Sequence, residues 1–195
     1  MPGGADGDAG PAAGLTAAIA RWRAAAPVML VVAIDGHGAA GKSTLAAAVA
    51  EATGGALVHT DDFFLTPSAP AGEPPPLEAY YDLRRLRAEA LEPLRARRAA
   101  AFKPFDWDRG HGLGAPVTVR PDAVILVEGV YSAAPELSDL VDRSVFVDTP
   151  APQRLRRLRR LIRPGDWDDD WLAAEQAYFG RVRPPASFDL VVPGA

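Results

Sequence analysis

The chain has 195 residues, a net charge of -4, and an ordinary globular mix of 48% apolar and 24% charged residues. That is enough for one domain with a real core and short for two. Cysteine is absent, which excludes disulfide scaffolds, thiolate metal sites and cysteine nucleophiles and makes a cytoplasmic setting the expectation. The acidic balance argues against nucleic acid as a partner. No apolar run approaches the roughly 20 residues of a membrane span, and the first 14 residues lack the basic flank and apolar stretch of a secretory signal.

Residues 1–14 are Gly, Ala, Asp and Pro with almost no large apolar side chain, which predicts a disordered tail ahead of a single domain over 15–195. Leu15, Ile19 and Trp22 fall at helical spacing, so 15–25 is expected to be helical. Residues 28–34 (VMLVVAI) are a continuous run of β-formers, the pattern of a strand buried on both faces. A helix is expected over 43–53, closed by Gly54 and Gly55. A short strand follows at 56–60. Residues 67–76 are too rich in proline for regular structure, 77–101 read as helical with a break at Pro93, and 102–120 read as an excursion with short strands. Further strands are expected at 123–127, 144–148 and 189–192, with helices at 152–162 and 168–181. Apolar strands alternating with helices predict a parallel sheet covered on both faces, an α/β architecture of three layers.

After the first strand comes GHGAAGKST, running Gly36, His37, Gly38, Ala39, Ala40, Gly41, Lys42, Ser43, Thr44. It matches G-x-x-x-x-G-K-[ST] in full, with the required strand before and helix after. The small residues let backbone N–H groups curl around phosphate oxygens, and the helix presents its positive end to the same anion. Lys42 is expected on the β/γ-phosphates of ATP and the Ser43 hydroxyl on Mg²⁺. Only Lys42 and Lys103 among 21 basic residues are lysine. Where arginine is the default, a lysine in this loop reads as the compact point charge the cradle needs. His37 reads as loop filler and Asp35 as a partner of the metal's waters.

The second strand runs into Asp61 and Asp62, at the strand end where ligands sit in an open α/β sheet. Two readings fit Asp61: a general base for an acceptor hydroxyl, or the cap of the next turn. Glu128 ends the run AVILV, and a carboxylate at that edge suits water on Mg²⁺. Asp82 precedes LRRLRAEAL, where it fits either a helix cap or a reader of vicinal hydroxyls. Phe105 and Trp107 serve either to pack the excursion or to wall an acceptor pocket. Arg154, Arg156, Arg157, Arg159, Arg160 and Arg163 make one face of a helix basic, with Leu155, Leu158 and Ile162 on the other. That face is either plain solvated surface or a lid whose guanidinium groups meet phosphate. Asp166 to Asp170 are expected to cap the next helix. Trp171, Leu172, Glu175 and Phe179 read as core plus surface without chemistry.

Together GHGAAGKST, HTDDFF, VILVEG and SVFVDTPAPQRLRRLRR resemble the uridine kinase family of P-loop kinases, with the phosphoribulokinase and nicotinamide riboside kinase groups sharing the outline. The resemblance covers about residues 28–193. It implies a P-loop three-layer sandwich with a five-stranded parallel sheet, an acceptor-binding excursion over 66–120 and an arginine-rich lid over 154–168. It implies ATP with Mg²⁺ as donor, Asp61 as general base, Ser43, Glu128 and Asp61 around the metal, and Asp82 on ribose. Arg154 and Arg157 match the family's arginine pattern most closely, which implies acceptor or phosphate contact and a catalytic role for Arg157. The expected activity is phosphoryl transfer to a small-molecule hydroxyl, with a ribonucleoside 5′-hydroxyl leading and nicotinamide riboside, glycerate or pantothenate as alternatives. A nucleotide-dependent switch acting on a protein is the other class of reading. A homo-oligomer is allowed, and the sequence favours no particular one. His111 is displaced from the family's Thr-His-Arg stretch, a departure on the pyrimidine side.

Overall fold

The computed structural model describes residues 10–25, 28–65, 76–161 and 169–194. Helix α1 spans Pro11–Ala25 and so begins inside the segment expected to be a tail. Proline at the first helical position loses no hydrogen bond there. Leu15 and Ile19, 0% and 1% exposed, anchor the helix on the sheet, and Ala12 packs against the same cluster. Apolar burial therefore extends the helix four residues past its expected start.

Strand β1 is Leu30–Asp35, α2 is Lys42–Thr53, and β2 is Ala56–His59. Gly54 closes α2 in the left-handed region at φ 67°, its N–H returning to the Ala50 carbonyl. Strands β3 (Ala100–Phe102) and β4 (Val117–Val119) form a separate antiparallel pair. Strands β5 (Val124–Glu128), β6 (Arg143–Asp148) and β7 (Leu190–Pro193) complete a five-stranded sheet of order β2-β5-β1-β6-β7. All its neighbours run parallel, as the resemblance implied.

The strands alternate between two buried faces. Leu30, Val32, Ile34 and Leu126 meet α1 and α2 through Leu15, Ile19, Leu45 and Val49. Val31, Ile125 and Val127 meet Phe63, Leu86, Leu91 and Leu94 on the other face. Ala33 and Phe146 meet Trp171, Tyr178 and Phe179 beside them. Double-sided burial is why these strands read as unbroken apolar runs.

The segment 77–101 departs from its expected helix. A 3₁₀ turn covers Leu77–Tyr80. Helices α3 (Leu83–Arg85) and α4 (Glu92–Arg95) are then joined without interruption by a π-helical stretch, Leu86–Leu91. Pro93 does not break the run; the wider turn just before it shifts the carbonyls that its ring would otherwise meet. The chain turns at Arg97, φ 58°, and residues 100–102 pair as β3 instead of continuing the helix. Ala100 and Phe102 face the core while Ala101 faces out, the alternation of a half-buried strand.

Helices α5 (Ala151–Leu161) and α6 (Asp169–Ala177) follow β6, and a π turn at Tyr178–Val182 extends α6. Asp169 and Asp170 lie in the first turn of α6, where acidic side chains complement the helix dipole. The calls on Ile162, Arg163, residues 166–168, most of the 67–76 proline stretch and the far half of the lid lie outside the described residues. No helix among the described residues is long and apolar enough to cross a membrane.

Leu126, 0% exposed on a strand flanked by β1 and β2, tests the core. Leu126→Ala should lower the unfolding free energy in urea by about 3 kcal/mol, the usual cost of such a cavity.

Candidate active site

The register of the sheet assembles the site. Glu128 pairs with Ile34 of β1 on one side and His59 of β2 on the other. The loop after β1, the turn after β2 and the end of β5 therefore emerge together at the carboxyl edge. The loop after β1 has the conformation its glycines permit. Gly36 has φ 143°, and a Cβ there would lie 2.7 Å from the Val147 carbonyl oxygen. Gly41 is at φ 95° and Ala39 at φ 57°. Ala40 is fully buried, and its carbonyl accepts from the Thr149 hydroxyl at 2.8 Å. Lys42, 7% exposed, folds back so that Nζ donates to the His37 carbonyl at 2.9 Å. Ser43 and Thr44 open α2 and are exposed.

Glu128 is 3% exposed. The Ser43 hydroxyl donates to its Oε2 at 3.3 Å, and His59 Nδ1 lies 2.6 Å from Oε1. The bond to Glu128 raises the His59 pKa, against the opposing effect of burial. Gly129 follows at φ 129°, where a Cβ would fall 1.9 Å from the Thr60 hydroxyl oxygen. Thr60 itself donates to the Val130 carbonyl at 3.0 Å, which locks the ends of β2 and β5 together.

Asp61 sits inside a 3₁₀ turn, Thr60–Phe63, whose cap position is His59. The helix-cap reading of Asp61 is thereby set aside. The residue is exposed, yet its carboxyl lies among packed walls. Desolvation raises its pKa, Lys42 pulls it down, Glu128 pushes it up, His59 opposes and Asp62 adds. Tyr81, 4% exposed, hydrogen-bonds the Asp61 carboxylate, and burial keeps its hydroxyl well above its ordinary pKa. Tyr81 is placed by an isolated antiparallel bridge to Phe64 and by Asp82 N–H donating to the Phe63 carbonyl at 2.8 Å.

An aromatic shelf stands over Asp61. Trp107, 51% exposed, donates from Nε1 to the Asp61 carbonyl at 3.3 Å. Its ring lies 4.9 Å from Phe64 and 4.8 Å from Phe105. Phe105 is 8% exposed, and its N–H donates to the Asp62 carbonyl at 2.7 Å. Phe105 is thus packed in, whereas the Trp107 ring is half exposed. Asp82 caps α3, its Oδ1 accepting from Arg85 N–H at 3.0 Å.

Several expectations change. Asp35 does not face outward toward metal waters. It is 0% exposed and accepts from Gly36 N–H at 2.8 Å, Tyr131 N–H at 3.2 Å, Ala133 N–H at 3.1 Å and Tyr178 hydroxyl at 3.1 Å. It joins the phosphate loop to the loop after β5. Desolvation pushes its pKa up to about 6 against those bonds and Lys42. His37 is more than filler: its ring nitrogen sits 2.8 Å from Glu175 and the ring lies tilted against Phe179, 4.4 Å between centroids. On α5, Arg154 and Leu158 are buried, whereas Leu155 is 38% exposed. The helix is therefore turned from its expected apolar face, because Arg154 finds a buried anion, Glu175, at 3.5 Å. Arg157 reaches the loop, donating to the Ala39 carbonyl at 3.3 Å. Glu175, read from the sequence as core plus surface without chemistry, and Tyr81, given no role there, both take part in the site. The available signal for Glu175 was an acidic residue on the same helical stripe as Trp171, Ala174 and Tyr178.

The oxygen donors of Ser43 and Glu128, with the Asp61 carboxylate close enough to interact with Glu128 and Lys42, fit a hard divalent cation. Among the described residues no group of three His, Cys, Asp or Glu is able to hold a metal by itself. That partial set suits Mg²⁺, which keeps waters and takes further ligands from phosphate.

Sheet order, phosphate loop and two acidic strand ends define a P-loop α/β phosphate-binding protein. The chain is 30% identical to a uridine kinase of Chlamydia pneumoniae over 152 residues, covering 70% of this chain and 64% of that one. Its fold is similar to a protein described as a possible uridine kinase from Bacillus stearothermophilus, with TM-score 0.68, 21% identity and 93% and 96% of the two chains covered. A protein provisionally named a fructose transport system kinase from Silicibacter sp. TM1040 is similar at TM-score 0.61 and 24% identity, with 92% and 98% covered. No protein-family profile matches the chain. The chain is thus similar in sequence to a uridine kinase and in fold to P-loop kinases, and it spans less than two thirds of the length of the curated relative it matches.

The raised pKa of Asp35 has a stability consequence. Between its ordinary 3.8 and about 6 the folded state holds the proton that the unfolded state has released, so stability falls as pH rises through that window. Urea unfolding of wild type and Asp35→Asn from pH 4 to 7 should show the wild-type advantage shrinking across it. A flat difference rejects the assignment.

Proposed function

We propose that the protein is an ATP-dependent kinase that transfers the γ-phosphoryl group to a small-molecule hydroxyl, with a ribonucleoside 5′-hydroxyl as the acceptor. The observation that carries this reading is Asp61: a carboxylate beside the phosphate loop, next to Lys42 and beneath an accessible indole. The likeness to a uridine kinase supports the same acceptor class.

In this reading Gly36 to Thr44 wrap the phosphates with backbone N–H groups, and Lys42 exchanges the His37 carbonyl for β/γ-phosphate oxygens. Ser43, Glu128 and Asp61 would hold Mg²⁺. Bound with the triphosphate, the ion neutralises charge on the transferring group. Asp61 takes the proton of the acceptor hydroxyl as its oxygen bonds to the γ-phosphorus and the bond to the β,γ-bridging oxygen breaks, leaving ADP. Tyr81 occupies part of the Asp61 carboxylate and so orients the remainder toward the acceptor. Trp107 offers a planar face to a planar base. Asp82 accepts from ribose hydroxyls with the oxygen that α3 does not use. Arg157, already on the loop, stabilises charge on the transferred group.

The test is ADP release with ATP and Mg²⁺ against uridine, cytidine, nicotinamide riboside, adenosine, glycerate and pantothenate. One nucleoside should stimulate it strongly; stimulation by glycerate or pantothenate alone moves the acceptor out of the nucleosides. Asp61→Asn should cost about 10²- to 10⁴-fold in turnover, the range for a general base, with ATP binding nearly intact. Lys42→Ala should damage both. Near-full turnover in Asp61→Asn removes that residue from the role of base.

Trp107→Ala should raise the KM of a nucleoside acceptor about tenfold, roughly the worth of one base–aromatic stack, and leave that of ATP unchanged. An unchanged acceptor KM removes the indole from the pocket wall.

A further inference from the structure

Glu175 is a carboxylate that the reaction outlined above does not use, and it is 2% exposed. A buried carboxylate is costly unless its oxygens are satisfied. Its partners come from two other elements. Oε1 accepts from the Gly38 N–H of the phosphate loop at 2.5 Å. Oε2 meets His37 Nδ1 at 2.8 Å and Arg154 Nη1 at 3.5 Å. Trp171, one turn earlier on α6, backs the same glycine: a Cβ on Gly38 would lie 2.9 Å from its Cη2. His37 is fixed in turn against Phe179 at 4.4 Å and Phe146 at 6.1 Å. One face of α6 therefore holds the second and third residues of the phosphate loop.

Arg154 is 9% exposed, and its Nε–H is buried with no acceptor. A guanidinium carries five N–H donors, and Glu175 takes one of them at a long distance. Charge anchors the arginine beside the loop while donors remain for a second anion. Arg157, one turn further along α5, already touches the loop at Ala39.

We propose that Glu175 is a positioning residue for nucleotide binding: it fixes the Gly38 peptide in the phosphate loop and holds Arg154 beside the triphosphate. This rests on the reading of the loop as a nucleotide cradle. A carboxylate that served folding alone would leave the folded protein's affinity for nucleotide unchanged.

The test is calorimetric titration of the full chain with ADP and Mg²⁺. The proteins are wild type, Glu175→Ala, Glu175→Gln, Arg154→Ala, the Glu175→Ala/Arg154→Ala pair and Lys42→Ala. Near-UV circular dichroism at the assay temperature reports folding. Glu175→Ala should weaken ADP by about tenfold or more. Glu175→Gln keeps an acceptor for Gly38 without the charge and should fall about three- to tenfold below wild type. Arg154→Ala should cost much less in the Glu175→Ala background than in wild type, because the two act as one unit. ADP binding within twofold of wild type in folded Glu175→Ala overturns the proposal, as do losses that simply multiply in the pair. Should Glu175→Ala not fold, Glu175→Gln decides: affinity within twofold of wild type overturns it. If Lys42→Ala also binds ADP normally, or wild type does not bind it, the cradle reading fails and the proposal falls with it.

Discussion

Parallel pairing in register is the constraint on which the rest of this protein depends. Ile34, Glu128 and His59 lie side by side across β1, β5 and β2. Three segments that are far apart in the chain must therefore leave the sheet at one edge. The phosphate loop, the Asp61 turn and the Glu128–Gly129 corner meet there for that reason. Small departures are blocked sterically. Gly36 lies under the Val147 carbonyl and Gly129 against Thr60, so neither tolerates a side chain. The apolar runs of the strands hold this edge in place, buried on both faces.

Buried polar groups then join the loops to one another. Asp35 ends the central strand and gathers donors from the phosphate loop, from the loop after β5 and from Tyr178. Glu175 gathers Gly38, His37 and Arg154. Both carboxylates are inside the protein, where unsatisfied charge is expensive and satisfied charge fixes geometry. Their shared helix region, α6 with its π turn, thus backs the phosphate loop. The aromatic rings of Phe146, Phe179 and Tyr178 fill the space between.

Much of this was legible in the linear sequence. VMLVVAI, AVILV and SVFVD are short and apolar without alternation, which only a doubly covered parallel strand requires. GHGAAGKST carries its own geometry, because small residues and a following helix suffice to form the cradle. Local rules also placed Gly54 at the end of α2. The failures share a cause. Residues 11–14 lack any large apolar side chain and look too small to fold, yet α1 gains them by packing against a sheet that a local reading does not contain. Pro93 breaks helices by default, but a π turn ahead of it spares the run. Leu155 looks like the buried face of α5, but Arg154 is drawn inward by a partner twenty-one residues away.

The sequence by itself determined the fold class, the phosphate loop and the acidic strand ends, because each follows from local composition, period or spacing. Only the tertiary structure decided what the polar side chains do. Asp35 turned inward and Glu175 became the loop's support. Tyr81 came onto Asp61, and His59 onto Glu128. Those pairings join positions up to 143 residues apart. They are set by strand register and helix packing, which bring together residues whose chemistry, read along the chain, names no partner.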